Sequence, residues 1–197
     1  MGDASIDVIV MASLRWRSSY PMSADPLYRI RSLRDGELNL LLAIEQAAGV
    51  LFRGTSEDWI VDDDGRGLDS YEAWRLTGHI LVAVDEADVP VGFAAVGPLD
   101  GQGYLHEIDV HPEHGQRGLG RRLVEAACDW AREQGFTQIQ LSTFRHIPWN
   151  APFYARLGFR ELADSELGPD LLAERRHEAD AGLDMTKRVF MRRELDA

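Results

Sequence analysis

The sequence predicts an α/β fold in which a mixed β-sheet carries helices on its faces. Two features of the hydrophobic pattern predict it. Short β-branched runs at residues 79–84 and 89–96 are typical of strands, whereas apolar residues from 118 to 133 repeat about every 3.6 positions, as in a helix. Segments of the two kinds also follow one another along the chain, from a first strand through helices and antiparallel strands to a last strand.

Turn residues and helix breakers divide the chain into predicted elements. Asp35 is placed to cap the first helix and Gly49 to end it, while the acidic turn at 85–88 makes a hairpin of the strands on either side. The elements are strand 28–31, helix 35–48, helix 69–76, strands 79–84, 89–96 and 102–110, helix 118–133, strand 137–144, helix 151–157, strand 159–162, helix 171–181 and strand 188–195.

Composition narrows the class of protein. The 197 residues include 21 Lys and Arg against 33 Asp and Glu, a net charge of −12, with 45% hydrophobic residues. This is too apolar for a disordered chain, and the length predicts one domain over 27–197 behind a loosely ordered arm at 1–26. The acidic balance argues against nucleic acid and weakly favours cationic partners such as amines.

Several further classes are excluded by what the sequence contains. Cys128 is the single cysteine, which excludes a disulfide framework and a cysteine-rich zinc site within one chain. Among the six histidines, His111, His114 and His146 form no recognisable metal set with carboxylates, so we expect no metal. No apolar stretch is long enough for a membrane span, and the first residues do not form a signal peptide. The expected location is the cytoplasm, with no membrane partner.

A glycine-rich turn between a strand and a helix is the most informative segment. It covers residues 111–121, and Arg117 and Arg121 add positive charge to it. Such a turn presents backbone N–H groups at a helix N-terminus and so favours an anion. Arg121 replaces the lysine of a nucleotide triphosphatase loop, and Leu123 replaces the third glycine of a dinucleotide fingerprint. We therefore reject a nucleotide triphosphatase loop and a dinucleotide-binding site. A plain strand–turn–helix connection without a ligand remains the alternative interpretation.

Two motifs, separated along the chain as they are in that family, resemble those of the GNAT superfamily of acyl-CoA N-acyltransferases. The first combines a strand ending in a Val-x-Pro stretch with a Gly-x-Gly helix start, and the second combines an asparagine with Phe-Tyr and Gly-Phe pairs. The matching residues are Ile108, Asp109, Val110, His111 and Pro112; Gly118, Leu119 and Gly120; and Asn150, Phe153, Tyr154, Gly158 and Phe159. The resemblance covers nearly all the chain after the arm and implies a mostly antiparallel sheet flanked by helices.

The resemblance implies acetyl-CoA as co-substrate and assigns residues to it. The loop residues Gln116, Arg117, Gly118, Leu119, Gly120 and Arg121 would cradle its pyrophosphate, and the strand edge at Ile108, Asp109 and Val110 would pair with its pantetheine arm. Asn150 and Tyr154 of the second motif are assigned to the same ligand. One position departs from the family pattern, because Gly115 stands where the family has Gln or Arg; this puts a side-chain contact in doubt and leaves the backbone amides in place.

The resemblance makes Tyr154 the candidate acid that protonates the departing CoA thiolate. The alternative is a core tyrosine packed beside Phe153 and Phe159 with a satisfied hydroxyl. A backbone N–H in the strand ending at Val110 would stabilise the oxyanion. With a single cysteine at Cys128, which we expect to serve packing, transfer would be direct.

Two residues compete for the role of general base. Strict alternation would place Tyr104, His106, Ile108 and Val110 on one strand face and Glu107 and Asp109 on the other. The segment 104–106 is similar to the corresponding strand of arylalkylamine N-acetyltransferases, which have two histidines there; His106 matches the second. Glu107 is the rival, a strand histidine with a purely structural role is the alternative, and a water chain without a single base stays open.

The glutamate base of ribosomal-protein alanine acetyltransferases lies in the next strand, where this sequence has Ser142. For the acceptor, Glu45 lies on an apolar helix face and could receive a cationic amine. Its alternative is a helix-edge ion pair with Arg53. Phe144 is a candidate aromatic wall of the substrate site, with core packing as the alternative.

The predicted function is transfer of the acetyl group of acetyl-CoA to a primary amine of a small molecule. Acetylation of a protein or peptide, and a non-catalytic acetyl-CoA-binding module, are the alternatives left open. By analogy with the superfamily, a homodimer could form through the late strand at 188–195.

Overall fold

A computed structural model of the chain describes residues 27–62, 65 and 67–196, so the expected arm at 1–26 lies outside the described residues. The described part contains seven strands in one sheet, and the predicted class of fold is confirmed. The strands are β1 (Arg29–Ser32), β2 (His79–Val84), β3 (Pro90–Leu99), β4 (Gln102–Val110), β5 (Gln138–Phe144), β6 (Arg160–Glu161) and β7 (Arg188–Glu194). They lie in the order β1-β2-β3-β4-β5-β7-β6.

In the described part of the chain, five α-helices flank this sheet, close to their predicted positions. They are α1 (Leu38–Gly49), α2 (Leu68–Thr77), α3 (Leu119–Glu133), α4 (Ala151–Arg156) and α5 (Pro169–Asp180). The predicted start of α1 is wrong, because Gly36 adopts φ 84 and Asp35 caps nothing in the helix. The carboxylate of Glu37 instead accepts the Arg34 N–H at 2.8 Å, and the helix begins three residues later than predicted.

The sheet is antiparallel except at one junction. The hairpin of β2 and β3 and the following pair of β3 and β4 are antiparallel, as predicted from the short turns. β4 then meets β5 in parallel at only two residue pairs, Gly103 with Ile139 and Tyr104 with Gln140. β7 lies between β5 and β6 and pairs with both, so the strand suggested for a dimer has neighbours on each side.

The helices form two layers with the sheet between them. The stripe of α3 that includes Leu123 and Ala127 packs against Ile108 of β4 in the main core. On the opposite face, α1 and α2 pack through Leu41 and Tyr71 against strands β2 and β3. β4 is therefore covered on both faces, and its two sides meet different surroundings. No helix in the described ranges is both long enough and apolar enough to cross a bilayer.

Candidate active site

A gap opens in the sheet where β4 and β5 diverge. After Tyr104 the two strands no longer pair, although β4 continues to Val110 and β5 to Phe144. Over this length β5 pairs with β7 alone among the described strands. An extended ligand could therefore lie along the β5-facing edge of β4 as a further strand. The predicted cofactor positions Ile108, Asp109 and Val110 lie on this edge.

The glycine-rich turn follows directly at the end of β4. Gln116 and Gly118 both adopt left-handed backbone angles, with φ 61 and 75, and α3 begins at Leu119. Left-handed residues next to a helix start turn successive N–H groups toward one point, which makes a concave anion site. The N–H groups of Leu119 and Gly120 also belong to the first turn of α3, where helix geometry provides no carbonyl partner. The segment 116–121 thus has the backbone form expected of a phosphate cradle.

Tyr28 supports this turn, a role that the sequence did not reveal. Its hydroxyl lies 3.0 Å from Nδ1 of His114, and the guanidinium of Arg117 lies 5.7 Å from its ring centre. Arg122, in the first turn of α3, donates to the Tyr28 carbonyl at 2.8 Å, so this arginine ties the start of the helix to Tyr28. Burial lowers the pKa of His114, and the positive charges of His111 and Arg117 lower it further. The basic groups of the turn are thus close enough to influence one another.

Tyr154 of α4 lies wholly inside the protein beside the gap. Its ring centre is 5.2 Å from that of Phe153 and 5.6 Å from that of Phe159, so the ring packs as a core side chain would. The residue is 0% exposed, and its hydroxyl has no hydrogen-bond partner among the described residues. A buried hydroxyl left in this way costs about 1–3 kcal/mol. Such a group in a native fold calls for a partner that the described residues do not provide.

The electrostatic surroundings keep this hydroxyl protonated. Burial raises the pKa of Tyr154 well above its usual value of 10, and the nearby carboxylates of Glu107 and Asp109 raise it further. The positive charge of Arg188 acts in the opposite direction. At neutral pH the phenol therefore carries the proton that a general acid needs.

A β-bulge at His106 overturns the predicted alternation of β4. Ala95 of β3 pairs with Glu107, but the next residue, Val96, pairs with Leu105, so His106 is an extra residue in β4. His106 consequently shares the α1–α2 side of the sheet with Glu107. The prediction that they lie on opposite faces is wrong, since a bulge reverses the alternation beyond it.

The contacts on the two sides confirm this arrangement. His106 stacks on Trp74 of α2 with ring centres 5.5 Å apart and planes 22° apart, and Tyr104 meets the same imidazole edge-on at 5.0 Å. The charges of Glu107 and Asp109 both act on Tyr71 of α2. Ile108 and Val110, by contrast, belong to the core with α3. The two candidate bases, His106 and Glu107, are therefore neighbours on one side of the sheet.

Glu45 of α1 lies on the same side, on the buried helix face that the sequence predicted. It is 7% exposed, and the fully buried Tyr71 donates a hydrogen bond to its carboxylate. A Cβ on Gly65 would lie 3.2 Å from the carboxyl carbon of Glu45, so the backbone there approaches the carboxylate closely. Burial raises the pKa of Tyr71, and the charges of Glu45, Glu107 and Asp109 raise it further. Tyr71 is a site residue that its place on a short, weakly patterned helix did not reveal.

Asn150 connects the β5 side of the gap to Tyr154. It precedes α4, is fully buried, and donates from Nδ2 to Oγ1 of Thr143 on β5 at 2.9 Å. The asparagine therefore fixes the start of the short helix that carries Tyr154. Its predicted contact with the cofactor stays a prediction.

Phe144 lies in the core beneath a buried ion pair. The ring has 0% exposure, and the guanidinium carbon of Arg188 lies 4.7 Å above its centre. Arg188 donates to both carboxylate oxygens of Glu178, at 3.1 and 2.7 Å, and to Oγ of Ser142 at 3.0 Å. The structure thus shows Phe144 with the core packing that was its alternative, and its role as a substrate wall stays a prediction.

Cys128 is buried in α3, where it contributes to the main core. Burial raises the pKa of its thiol to about 11, so the nucleophilic thiolate is scarce at neutral pH. Within the described ranges, no group of three His, Cys, Asp or Glu residues could hold a metal ion.

A mixed sheet that splits beside a glycine turn and a buried tyrosine defines the class of GNAT folds. The chain belongs to the acetyltransferase (GNAT) family, whose family model matches residues 48–159. Among solved structures, an acetyltransferase from Streptococcus agalactiae superposes with a TM-score of 0.64 at 20% identity, over 86% of this chain and 99% of that one.

Curated relatives are similar over parts of the chain. L-methionine sulfoximine/L-methionine sulfone acetyltransferase of Salmonella typhimurium is 40% identical over 83 residues, which are 40% of this chain and 48% of that protein. L-amino acid N-acyltransferase MnaT of Escherichia coli is 32% identical over 111 residues, 54% of this chain and 64% of that protein. The chain thus spans about half to two thirds of the length of these relatives.

Proposed function

We propose that the chain transfers the acetyl group of acetyl-CoA to a primary amine of a small molecule by direct attack of the amine. The observation that carries the proposal is the hydroxyl of Tyr154, which is fully buried beside the gap and has no partner among the described residues. A leaving thiolate in the gap is the kind of group that would accept its proton.

Backbone groups around the gap support binding of both the pyrophosphate and the pantetheine arm of acetyl-CoA. The left-handed residues Gln116 and Gly118 shape a cradle that matches a pyrophosphate, with Arg117 and Arg121 adding charge. The edge of β4 from Ile108 to Val110 offers backbone groups to the amide-containing pantetheine arm. When bound there, acetyl-CoA supplies the activated acetyl thioester.

The residues around the gap divide the proton transfers between them. His106 or Glu107 takes a proton from the bound ammonium, and the neutral amine that results attacks the thioester carbonyl. A backbone N–H of β4 near Val110 stabilises the negative charge on the carbonyl oxygen. Tyr154 then protonates the thiolate. Because Cys128 is buried with a raised pKa, the proposal includes no acetyl-cysteine intermediate.

The names of the relatives support a small acceptor. Two of them are named for acylation of L-methionine sulfoximine, L-methionine sulfone and L-amino acids, all of which are small amines. We therefore favour a small molecule over a protein or peptide as the acceptor. Glu45, on the α1 face beside Tyr71, is the residue proposed to receive the amine.

The test is thiol release from acetyl-CoA in the presence of a panel of small amines. We expect turnover with the native chain and a decrease in kcat of about 100-fold or more in Tyr154→Phe, the size of effect typical of a lost general acid. Tyr28→Phe is the matched control, because it also removes one hydroxyl but at the turn. There we expect a higher KM for acetyl-CoA with a much smaller change in kcat.

Three outcomes would each contradict a part of the proposal. If acetyl-CoA binds in calorimetry and no amine releases thiol, the chain is a binding module. If a peptide panel is acetylated and no small amine is, the acceptor is a protein. Full turnover in Tyr154→Phe at every pH would remove the tyrosine from the role of acid.

A further inference from the structure

The imidazole of His114 lies between the glycine-rich turn and the first strand. His114 comes two residues before Gln116, and its Nδ1 is 3.0 Å from the hydroxyl of Tyr28, the residue just before β1. The two ring centres are 5.8 Å apart with planes at 86°, and the guanidinium of Arg117 lies 5.7 Å from the ring centre of Tyr28. Tyr28 is 6% exposed, and Arg122 holds its carbonyl. A buried residue that is distant in the sequence thus fixes the imidazole beside the proposed phosphate cradle.

Positive groups of the turn oppose protonation of this imidazole. The ring centre of His111 lies 6.0 Å from that of His114. Burial lowers the pKa of His114, and the charges of His111 and Arg117 lower it further. The carboxylates of Asp85 and Glu113 act in the opposite direction, but the pKa stays below its usual value of 6.5. The groups of the chain alone therefore keep His114 mostly uncharged at neutral pH.

A diphosphate held by the turn would change this balance. Its negative charges would lie against the backbone of residues 116–121 and beside Arg117, whose positive charge they would offset. An opposite charge close by also favours the charged form of an imidazole directly. Binding would thus weaken the repulsion from Arg117 and add an attraction, and both effects favour protonated His114.

The hydrogen bond between His114 and Tyr28 can be kept in both protonation states. When the neutral imidazole carries its proton on Nε2, the phenol donates to Nδ1; in the imidazolium, Nδ1–H donates to the phenol oxygen. The proton comes from solvent and forms the new N–H bond at Nδ1, and no covalent bond of the chain breaks. The turn can therefore gain a positive charge without losing the contact that supports it.

We propose that His114, held by Tyr28, is a positioning residue of the acetyl-CoA site that takes up a proton from solvent when the pyrophosphate occupies the turn. This inference rests on the proposed function and deepens it. Because protonation and binding favour each other, acetyl-CoA binds more tightly as pH falls through the range in which the imidazole titrates. The charged imidazole then attracts the anion together with Arg117.

The first test measures proton uptake by the native chain with dephospho-CoA as the probe. The diphosphate bridge of this compound does not titrate near neutral pH, whereas a phosphate monoester such as the 3′-phosphate of CoA does. Calorimetry at about pH 6.5, in buffers of different ionisation enthalpy, gives the number of protons taken up per molecule bound. We expect about 0.3–0.5 proton, and a Kd about threefold lower at about pH 6 than at about pH 7.5.

Variants of single histidines locate the proton. In His114→Asn we expect the proton uptake to be lost and the Kd for dephospho-CoA to become nearly independent of pH. His177→Asn is the matched control, because His177 is exposed on α5 and the substitution is the same; its proton uptake should equal that of the native chain. An NMR titration of the His114 imidazole in the native chain needs no variant. There, saturating dephospho-CoA should move the midpoint to higher pH.

The outcomes separate this inference from the proposed function. If neither CoA nor dephospho-CoA binds, both proposals fail. If CoA binds but dephospho-CoA does not, or binds without proton uptake, the inference is wrong while the proposed function stands. Uptake that persists in His114→Asn and disappears in His111→Asn would overturn the assignment to His114. A Kd raised by the same factor at every pH in His114→Asn would show that the residue only supports the turn.

Discussion

His106 occupies the extra position of β4, and that single residue decides which groups meet on the acceptor side. Without the bulge, the imidazole and the carboxylate of Glu107 would point to opposite faces. With it, both lie on the α1–α2 side of the sheet, and His106 remains half-buried while Glu107 is fully buried. A base must pass its proton on to water, so the more exposed imidazole is the better candidate.

The pH dependence of kcat/KM distinguishes the two bases. In His106→Ala we expect the rise of kcat/KM with pH near neutrality to disappear and the maximum to fall by about 100-fold, as for a lost general base. Glu107→Gln should retain the rise. Rate profiles from about pH 5 to 9 measure this. The reverse pattern would assign the base to Glu107, and a rise retained in both variants would favour a water chain.

Glu57 shows how a loop element is held against the strands around the gap. It lies in the loop after α1, is almost fully buried, and forms an ion pair with Lys187 at 2.9 Å; Nε2 of His146 lies 3.3 Å from the same carboxylate oxygen. Ser56 and Trp59 donate hydrogen bonds to its two oxygens. Burial by itself would raise the pKa of Glu57, but Lys187 and these hydrogen bonds outweigh burial and lower it.

A lowered pKa makes this carboxylate a pH-dependent source of stability. Because its pKa in the folded chain is below the unfolded value, its contribution is present above about pH 4.5 and is lost as pH falls toward the folded value. We expect Glu57→Gln to reduce the free energy of unfolding by about 1–3 kcal/mol at neutral pH. Urea unfolding at several pH values should show this difference shrinking below about pH 4. A difference that does not change with pH would show that the charge contributes nothing.

Across the whole molecule, patterns that depend on local periodicity were predictable. The strand at 102–110 and the apolar stripe of α3 lie where the sequence places them. Features that depend on contacts between residues far apart in the sequence could not be predicted. The helix α5 begins two residues before its predicted start, and its first N–H groups are accepted by Asp100, which lies in the turn between β3 and β4.

The residues of the candidate site also fall into those that local motifs predicted and those that only contacts between distant segments could reveal. The glycine turn and Tyr154 follow from motifs, whereas the bulge at His106 and the supports from Tyr28 and Tyr71 arise from contacts between segments far apart in the chain. A one-residue insertion in a strand leaves no mark on its composition. Alternation was therefore an unsafe guide to which side chains share a face of β4.

The buried pair of Arg188 and Glu178 joins α5 to β7 of the sheet. We expect Glu178→Gln to lower the free energy of unfolding by about 3–5 kcal/mol, because it leaves a guanidinium buried without its counter-charge. Replacing both partners, as Arg188→Met with Glu178→Leu, should recover most of that loss. Urea denaturation of the native chain and both variants measures it, and a double variant as unstable as the single one would contradict this account.

The two residue pairs between β4 and β5 also have a mechanical meaning. They divide the sheet into two half-sheets, β1–β4 and β5–β7, that share a very short seam. A ligand lying along β4 would lengthen that seam and stiffen the whole sheet, and its release would let the halves flex again. While it is bound, the proposed co-substrate would thus act as an additional strand that connects the two half-sheets.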